Sequence, residues 1–343
     1  MNQIQNMALN KSFFVDRKIL ITGGAGFIGS SLAHTLVSLG AKVTVLDAML
    51  PLYGGNMFNL EGIMDKVEFV LGDIRDKKLM LEIVAGMDII FNLAAQVSYI
   101  DSKTEPFLDL DINCSGHLTV LEAAKEVAPK SRIIFSSSRM VYGKVISNPV
   151  SENHSTEPLS LYGIHKLAGE KYYRYYHDTF GLDTVTIRIP NPYGPRQHMK
   201  HNKYSIVGWF LRQALDNKII SIFGDGLQDM DYIYIDDVVD GFLSVVEKGK
   251  SGEVYNLGSK EKVSLIEMVN EILMETKSGS VEHVVWPENF EKNKTGSYIA
   301  NTSKIKRDVG WQAKINFKEG VRRMVEYYRK YGVHYWSDDD LSI

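Results

Sequence analysis

Short apolar runs punctuate the first half of the chain, separated by stretches in which apolar positions recur every three or four residues. Residues 18–21, 42–46, 67–71, 88–92, 132–135 and 184–189 are of the first kind and predict buried strands. Residues 30–39, 77–85, 109–127 and 161–180 are of the second kind and predict helices, the first of them closed by Gly40. Strand and helix alternate, which implies an α/β fold with a doubly wound parallel sheet covered on both faces. After Pro190 the rhythm breaks. Residues 191–195 predict a loop, followed by a helix over 206–216, a strand over 232–235 and a final amphipathic helix over 318–331. The chain therefore divides into a loose polar tail (1–16), a sheet domain (17–190) and a smaller α/β lobe (191–343) facing a substrate. A segment near 232–260 returns to the sheet domain, and with no repeat or low-complexity linker the two parts pack together.

At 343 residues the chain can bury a full core without staples, and 44% hydrophobic with 24% charged residues is the composition of an ordinary soluble protein. A net charge of −3 with dispersed Lys and Arg leaves no basic footprint, so no nucleic-acid partner is expected. Cys114 is the single cysteine, which excludes an intramolecular disulfide and fits a reducing compartment. No apolar run approaches a bilayer span, and residues 1–16 lack a signal-peptide core. The expectation is a cytoplasmic enzyme with no membrane partner and no metal.

The first strand enters the turn Thr22-Gly23-Gly24-Ala25-Gly26-Phe27-Ile28-Gly29, and the second ends at Asp47. Strand, glycine turn, helix, strand and acid within about 30 residues make up a Rossmann-type dinucleotide unit. In Gly23-x-x-Gly26-x-x-Gly29 the first glycine permits the tight turn, the second lets backbone approach a pyrophosphate, and the third lets helix pack on strand. The helix N-terminus then presents free N–H groups to phosphate. A carboxylate at Asp47 accepts the adenosine ribose hydroxyls and repels a 2′-phosphate, favouring NAD over NADP. Asp73 and Ile74 end the third strand, where the acid either meets the adenine edge or caps the next helix.

Tyr162 and Lys166 stand one helical turn apart, so the lysine charge lies on the same face as the phenol. An unperturbed phenol has a pKa of about 10 and needs that cation to act as a base. Ser138 can hydrogen-bond the same substrate oxygen as the proton moves. Together they suit hydride transfer at a carbon bearing oxygen.

With Asn92-Leu93-Ala94-Ala95, Ser136 to Gly143, Tyr162-x-x-x-Lys166 and Arg188-x-x-Asn191-Pro192-Tyr193-Gly194-Pro195, the chain resembles the extended short-chain dehydrogenase/reductase family from about residue 17 to 335. The family contains nucleotide-sugar epimerases, dehydratases, decarboxylases and reductases. The resemblance implies that Ser138, Tyr162 and Lys166 are catalytic and that Gly23, Gly26, Phe27, Ile28, Gly29, Asp47, Asp73 and Ile74 bind cofactor. It implies further that the loop Leu93, Ala94, Ala95, Gln96 lies along the cofactor, that Asn113 supports this loop, and that Pro190 flanks the nicotinamide. Gln96, Ser138, Arg139, Asn191 and Arg196 are then the expected substrate contacts, Asn191 at the diphosphate.

Family members resembling the 4,6-dehydratases carry Asp-Glu at the positions of Arg139-Met140, decarboxylases place Glu at the second, and enzymes inverting carbons 3 and 5 tend to have Cys there. Met140 can neither give nor take a proton, which leaves oxidation and re-reduction at one carbon, the 4-epimerase cycle, most simply on a UDP-sugar. A decarboxylase, a 4,6-dehydratase, a 4-dehydrogenase or ketoreductase, and a non-catalytic NAD-binding regulator are the alternatives. Two departures from the family pattern stand out: Asn92 where His is frequent, and Met230 where an arginine usually clamps the diphosphate. Arg196, Lys203, Lys292 and Lys294 are candidate replacements for that arginine. The helices over 109–127 and 161–180 resemble those that pair as a four-helix bundle in family homodimers, with Tyr172, Tyr173, Tyr175 and Tyr176 either at that seam or in the core.

Overall fold

The computed structural model describes residues 10–50, 53–259, 261–286 and 295–337. Its first half runs β1 (Lys18–Thr22), α1 (Phe27–Ser38), β2 (Lys42–Asp47), β3 (Val67–Leu71), α2 (Lys77–Val84), β4 (Ile89–Asn92), α3 (Asp101–Thr104), α4 (Pro106–Leu110), α5 (His117–Val127), β5 (Arg132–Ser138), α6 (Leu161–Phe180) and β6 (Asp183–Ile189). The second half runs β7 (Asn191–Tyr193), α7 (Ile206–Leu215), β8 (Ile219–Phe223), β9 (Asp229–Met230), β10 (Tyr232–Tyr234), α8 (Ile235–Lys248), β11 (Val254–Asn256), β12 (Val263–Ser264), α9 (Leu265–Thr276), β13 (Ser280–Val284), α10 (Ser303–Val309) and α11 (Phe317–Tyr331).

Seven strands form one parallel sheet in the order β11-β6-β5-β4-β1-β2-β3. Alternate residues of β1 enter different cores: Ile19 and Ile21 pack with Leu32, Leu36, Val238 and Phe242 of α1 and α8, whereas Leu20 packs with Met80, Val120 and Tyr173 of α2, α5 and α6. Burial on both faces explains why the strands read as continuous apolar runs. The strand order reverses between β1 and β4, and ligands of open α/β sheets bind at the carboxyl ends of strands flanking such a switch. In the second half, β7 pairs with β10, β8 with β13 and β9 with β12. Among the described residues no helix is long and apolar enough to cross a membrane.

Helix α6 begins where Ser160 accepts the Gly163 N–H at 3.1 Å and stops where Gly181 turns left-handed at φ +71°. Other expectations need correction. The helix over 109–127 is α4, a π-helical stretch Asp111–Gly116, and α5, and the widened turn carries Asn113 inward. Three residues of the expected loop 191–195 pair with β10, and the strand expected over 232–235 ends at Tyr234 because Ile235 opens α8. Residues 10–16 are not a loose tail: Asn10 caps a short 3-10 turn, Lys11–Phe13, and Phe14 is fully buried in the core. The rest of the expected tail, 1–9, lies outside the described residues. Tyr173 and Tyr176 are core residues, while Tyr175 is exposed.

Candidate active site

A cavity of about 990 Å³ runs from the glycine turn, past the ends of β2 and β3, to the second lobe. Gly23 adopts φ +68°, and a Cβ there would lie 3.0 Å from the Ala94 backbone. A Cβ at Gly29 would lie 2.3 Å from the Gly23 carbonyl oxygen. The bare turn therefore lets α1 point its N-terminus into the cavity, where Gly26, Phe27, Ile28 and Gly29 line the wall. Asp47 accepts the Ala25 N–H at 3.0 Å on one carboxylate oxygen and the Met49 N–H at 2.9 Å on the other. Burial pushes its carboxyl above the usual range, and these two bonds pull it back. Each oxygen keeps a lone pair for a diol.

Asp73 and Ile74 line the same end. Asp73 is not the cap of α2, a role taken by Asp76, which accepts the Lys78 and Leu79 N–H groups. Arg75 clamps Asp73 at 2.7 Å. Opposite, the Thr22 hydroxyl accepts the N–H groups of Leu93 and Ala94, both at 3.1 Å, and itself donates to Asn92 Oδ1 at 2.7 Å. Leu93, Ala94 and Ala95 are thereby laid along the cavity. Asn92 is buried and donates through Nδ2 to Tyr173 Oη at 2.5 Å, so its amide serves an internal network. Asn113 lies off the cavity wall and donates to the Gln96 carbonyl at 2.9 Å, holding the loop from behind.

At the far ends of β5 and α6, Ser138, Tyr162 and Lys166 meet. Ser138 hydrogen-bonds Tyr162 and accepts the Met140 N–H at 3.2 Å. Burial pushes the Tyr162 phenol up to about 12, opposed by the Ser138 hydrogen bond and the Arg139 charge. Burial likewise pulls Lys166 down to about 8, opposed by Asp109, Cys114 and Glu170. Lys166 Nζ donates to the Ser136 carbonyl at 3.0 Å. Behind them lies a network that spacing did not flag. Arg188 pairs with Glu170 at 2.7 Å and donates to Tyr142 Oη at 2.9 Å, and Ser137 donates to Glu170 at 2.5 Å, tying β5, β6 and α6 together. A second buried pair, Asp109 with His165, fixes α4 to α6. Only the Arg188 motif hinted at the first, and nothing in the sequence joins the second.

Pro190 and Asn191 line the wall next to Ser138. Asn191 donates to the Asp231 carbonyl at 2.9 Å and accepts from Arg139 Nε at 3.2 Å. Arg139, Met140, Met230, Tyr232 and Thr295 complete that end, with Lys203 paired to Asp101 at 3.0 Å nearer the mouth. Gln96 and Arg196 lie elsewhere. Gln96 is buried and donates to the Ser98 carbonyl. Arg196, with φ +71°, lines an adjoining pocket of about 200 Å³ with Lys200 and His334, which shares Tyr53, Gly54, Gly55 and His198 with the main cavity. Lys292 and Lys294 lie outside the described residues. Tyr99, Tyr204 and Trp286 also line the cavity, brought there by loops whose paths no periodicity encodes.

Residues 20–324 match the family model described as GDP-mannose 4,6 dehydratase. A putative UDP-glucose 4-epimerase of Methanocaldococcus jannaschii is 33% identical over 314 residues, 91% of this chain and 98% of that one. Among solved structures, a dTDP-glucose 4,6-dehydratase of Streptomyces venezuelae with NAD bound superposes with a TM-score of 0.84 at 30% identity, covering 91% of this chain and 97% of that one. A UDP-glucose 4-epimerase of Thermotoga maritima with UDP-glucose superposes with a TM-score of 0.82 at 32% identity, covering 92% and 99%.

Proposed function

The chain belongs to the extended short-chain dehydrogenase/reductase family of NAD-dependent nucleotide-sugar epimerases and dehydratases, and from that premise we propose that it is a nucleotide-sugar 4-epimerase acting on a UDP-sugar. The observation that carries this is the set of side chains at the reacting end. Among the described residues lining the cavity, the only carboxylates are Asp47 and Asp73, both at the ends of β2 and β3, and beside Ser138 stand Arg139 and Met140. Elimination of water needs a second acid-base group at the sugar, whereas reversible oxidation at one carbon needs a single base.

Tyr162 is that base and takes the proton of the C4 hydroxyl. Ser138, already bonded to Tyr162, shares the same oxygen and aligns it. Lys166 supplies positive charge on the tyrosine's side of α6 and makes the phenolate accessible despite burial. The glycine turn, Asp47 and the loop Leu93 to Ala95 would hold NAD, which would supply reversible hydride transfer at C4. The cycle requires the 4-keto sugar to turn about its link to the diphosphate before it is reduced again.

We also infer a homodimer. Phe107 and Leu110 on α4, and Leu161, Ile164 and Tyr175 on α6, leave large apolar groups exposed on the helices that would build a four-helix bundle. Incubation with UDP-glucose, UDP-galactose and their N-acetyl and uronate counterparts tests the activity. An epimer has the substrate's mass and leaves the NAD total unchanged, whereas loss of water identifies a dehydratase and overturns the reading.

A further inference from the structure

Arg139 follows Ser138 directly and faces the cavity. Among the described residues its guanidinium meets neutral groups: Nε donates to Asn191 Oδ1 at 3.2 Å, Nη1 makes a long contact of 3.4 Å to Thr295 Oγ1, and the Tyr298 ring centroid lies 5.5 Å away. Among the described residues Nη2 has no partner and no carboxylate lies within ion-pair distance of this side chain. The acid that senses it is Asp231. That carboxylate is fully buried and already accepts the N–H groups of Ser259 at 2.7 Å and Ala300 at 3.0 Å. Burial pushes it up to about 7 despite the Arg139 charge, so it is a poor counter-ion. Met230, bridged to Tyr298, adds no charge to this wall. Lys203 nearer the mouth is already paired, and Lys103 is exposed.

A half-buried guanidinium with no counter-charge among the described residues is costly, and its fork of donors matches a two-oxygen anion. We propose that Arg139 is the oxyanion anchor of the substrate, taking up the anionic oxygens of the nucleotide sugar beside the reacting carbon. Those oxygens belong either to the diphosphate or to a carboxylate on the sugar. The inference rests on the nucleotide-sugar reading and goes beyond it by assigning the cation.

The full chain with NAD, as wild type, Arg139→Met and Arg139→Lys, is titrated calorimetrically with UDP, dTDP, CDP, GDP, UDP-glucose and UDP-glucuronate, with thermal melting and NAD content as controls. The expected result is a loss of at least about tenfold in affinity in Arg139→Met, as for removal of a charge-assisted contact, with partial recovery in Arg139→Lys. A loss shared by a nucleoside diphosphate and UDP-glucose assigns the phosphates to Arg139. A loss confined to UDP-glucuronate assigns a sugar carboxylate. Affinities within twofold of wild type for every ligand in a folded, NAD-containing Arg139→Met overturn the proposal and leave the nucleotide-sugar reading intact. If wild type binds none of the six, that reading fails and the anchor with it.

Discussion

Tyr162 works against its own surroundings. Burial raises the phenol to about 12, so a phenolate there would depend on its neighbours, Ser138 by hydrogen bond and Arg139 by charge. Tyr162→Phe keeps the ring and removes the proton acceptor. Its kcat should fall by on the order of 10²- to 10⁴-fold, the usual worth of a general base, with NAD content unchanged in the purified protein. Near-normal turnover would remove Tyr162 from the chemistry. Asp231 offers a test through stability. Burial pushes its folded pKa up to about 7, above the ordinary 3.8, so its contribution to stability is greatest below the unfolded pKa and is lost as pH rises through the folded one. Asp231→Asn removes that titration. The difference in melting temperature, wild type minus variant, should therefore decline between pH 4 and pH 8, and a flat difference would mean that the acid does not titrate there.

At the level of elements, the strand-to-helix turn and the capped helix α9 make a contrasting pair. Gly29→Ala drives a methyl to 2.3 Å from the Gly23 carbonyl, where only backbone movement can relieve it. The cost should be about 1 to 3 kcal/mol, typical of overpacking, accompanied by loss of NAD on gel filtration. Ser264 and Glu267 form a reciprocal capping box at the start of α9. Ser264→Ala should cost about 1 kcal/mol in chemical denaturation and leave NAD content untouched, because Ser264 is not among the residues that line the cavity. Equal effects of the two substitutions on NAD would contradict the assignment of the turn. The same contrast explains what the sequence disclosed. Strands buried on both faces appear as apolar runs, and the glycine turn and the Tyr162-Lys166 pair sit at fixed local offsets, so all were legible. The π-helical stretch was not, because its cause is the Gln96 carbonyl that Asn113 reaches from 17 positions away. Phe14 and β7 were missed for the same reason: one looked like a polar leader and the other like a proline-rich loop, and tertiary partners decided both. Arg139 was legible as a residue, but its want of a counter-ion among the described residues is a property of the folded cavity alone.

For the whole molecule, α6 would link the proposed chemistry to the proposed assembly. Its inner face carries Tyr162 and Lys166, while Leu161, Ile164, Ala168 and Tyr175 fall on one outward stripe at helical spacing. Phe107 on α4 is 82% exposed beside it, an unusual state for a phenylalanine unless something covers it. A two-fold pairing through α4, α5 and α6 would bury that stripe and brace the helix that carries the proposed base. Light scattering after gel filtration should give twice the chain mass of 38.7 kDa for wild type. Phe107→Glu combined with Tyr175→Glu should shift the mass to that of one chain, since like charges brought together on a two-fold seam repel. Because neither residue lines the cavity, the monomer should still bind NAD, and any fall in kcat would report lost bracing of α6 rather than a lost contact. A wild-type mass of one chain at micromolar concentration would end the dimer proposal and leave the apolar stripe to a different partner.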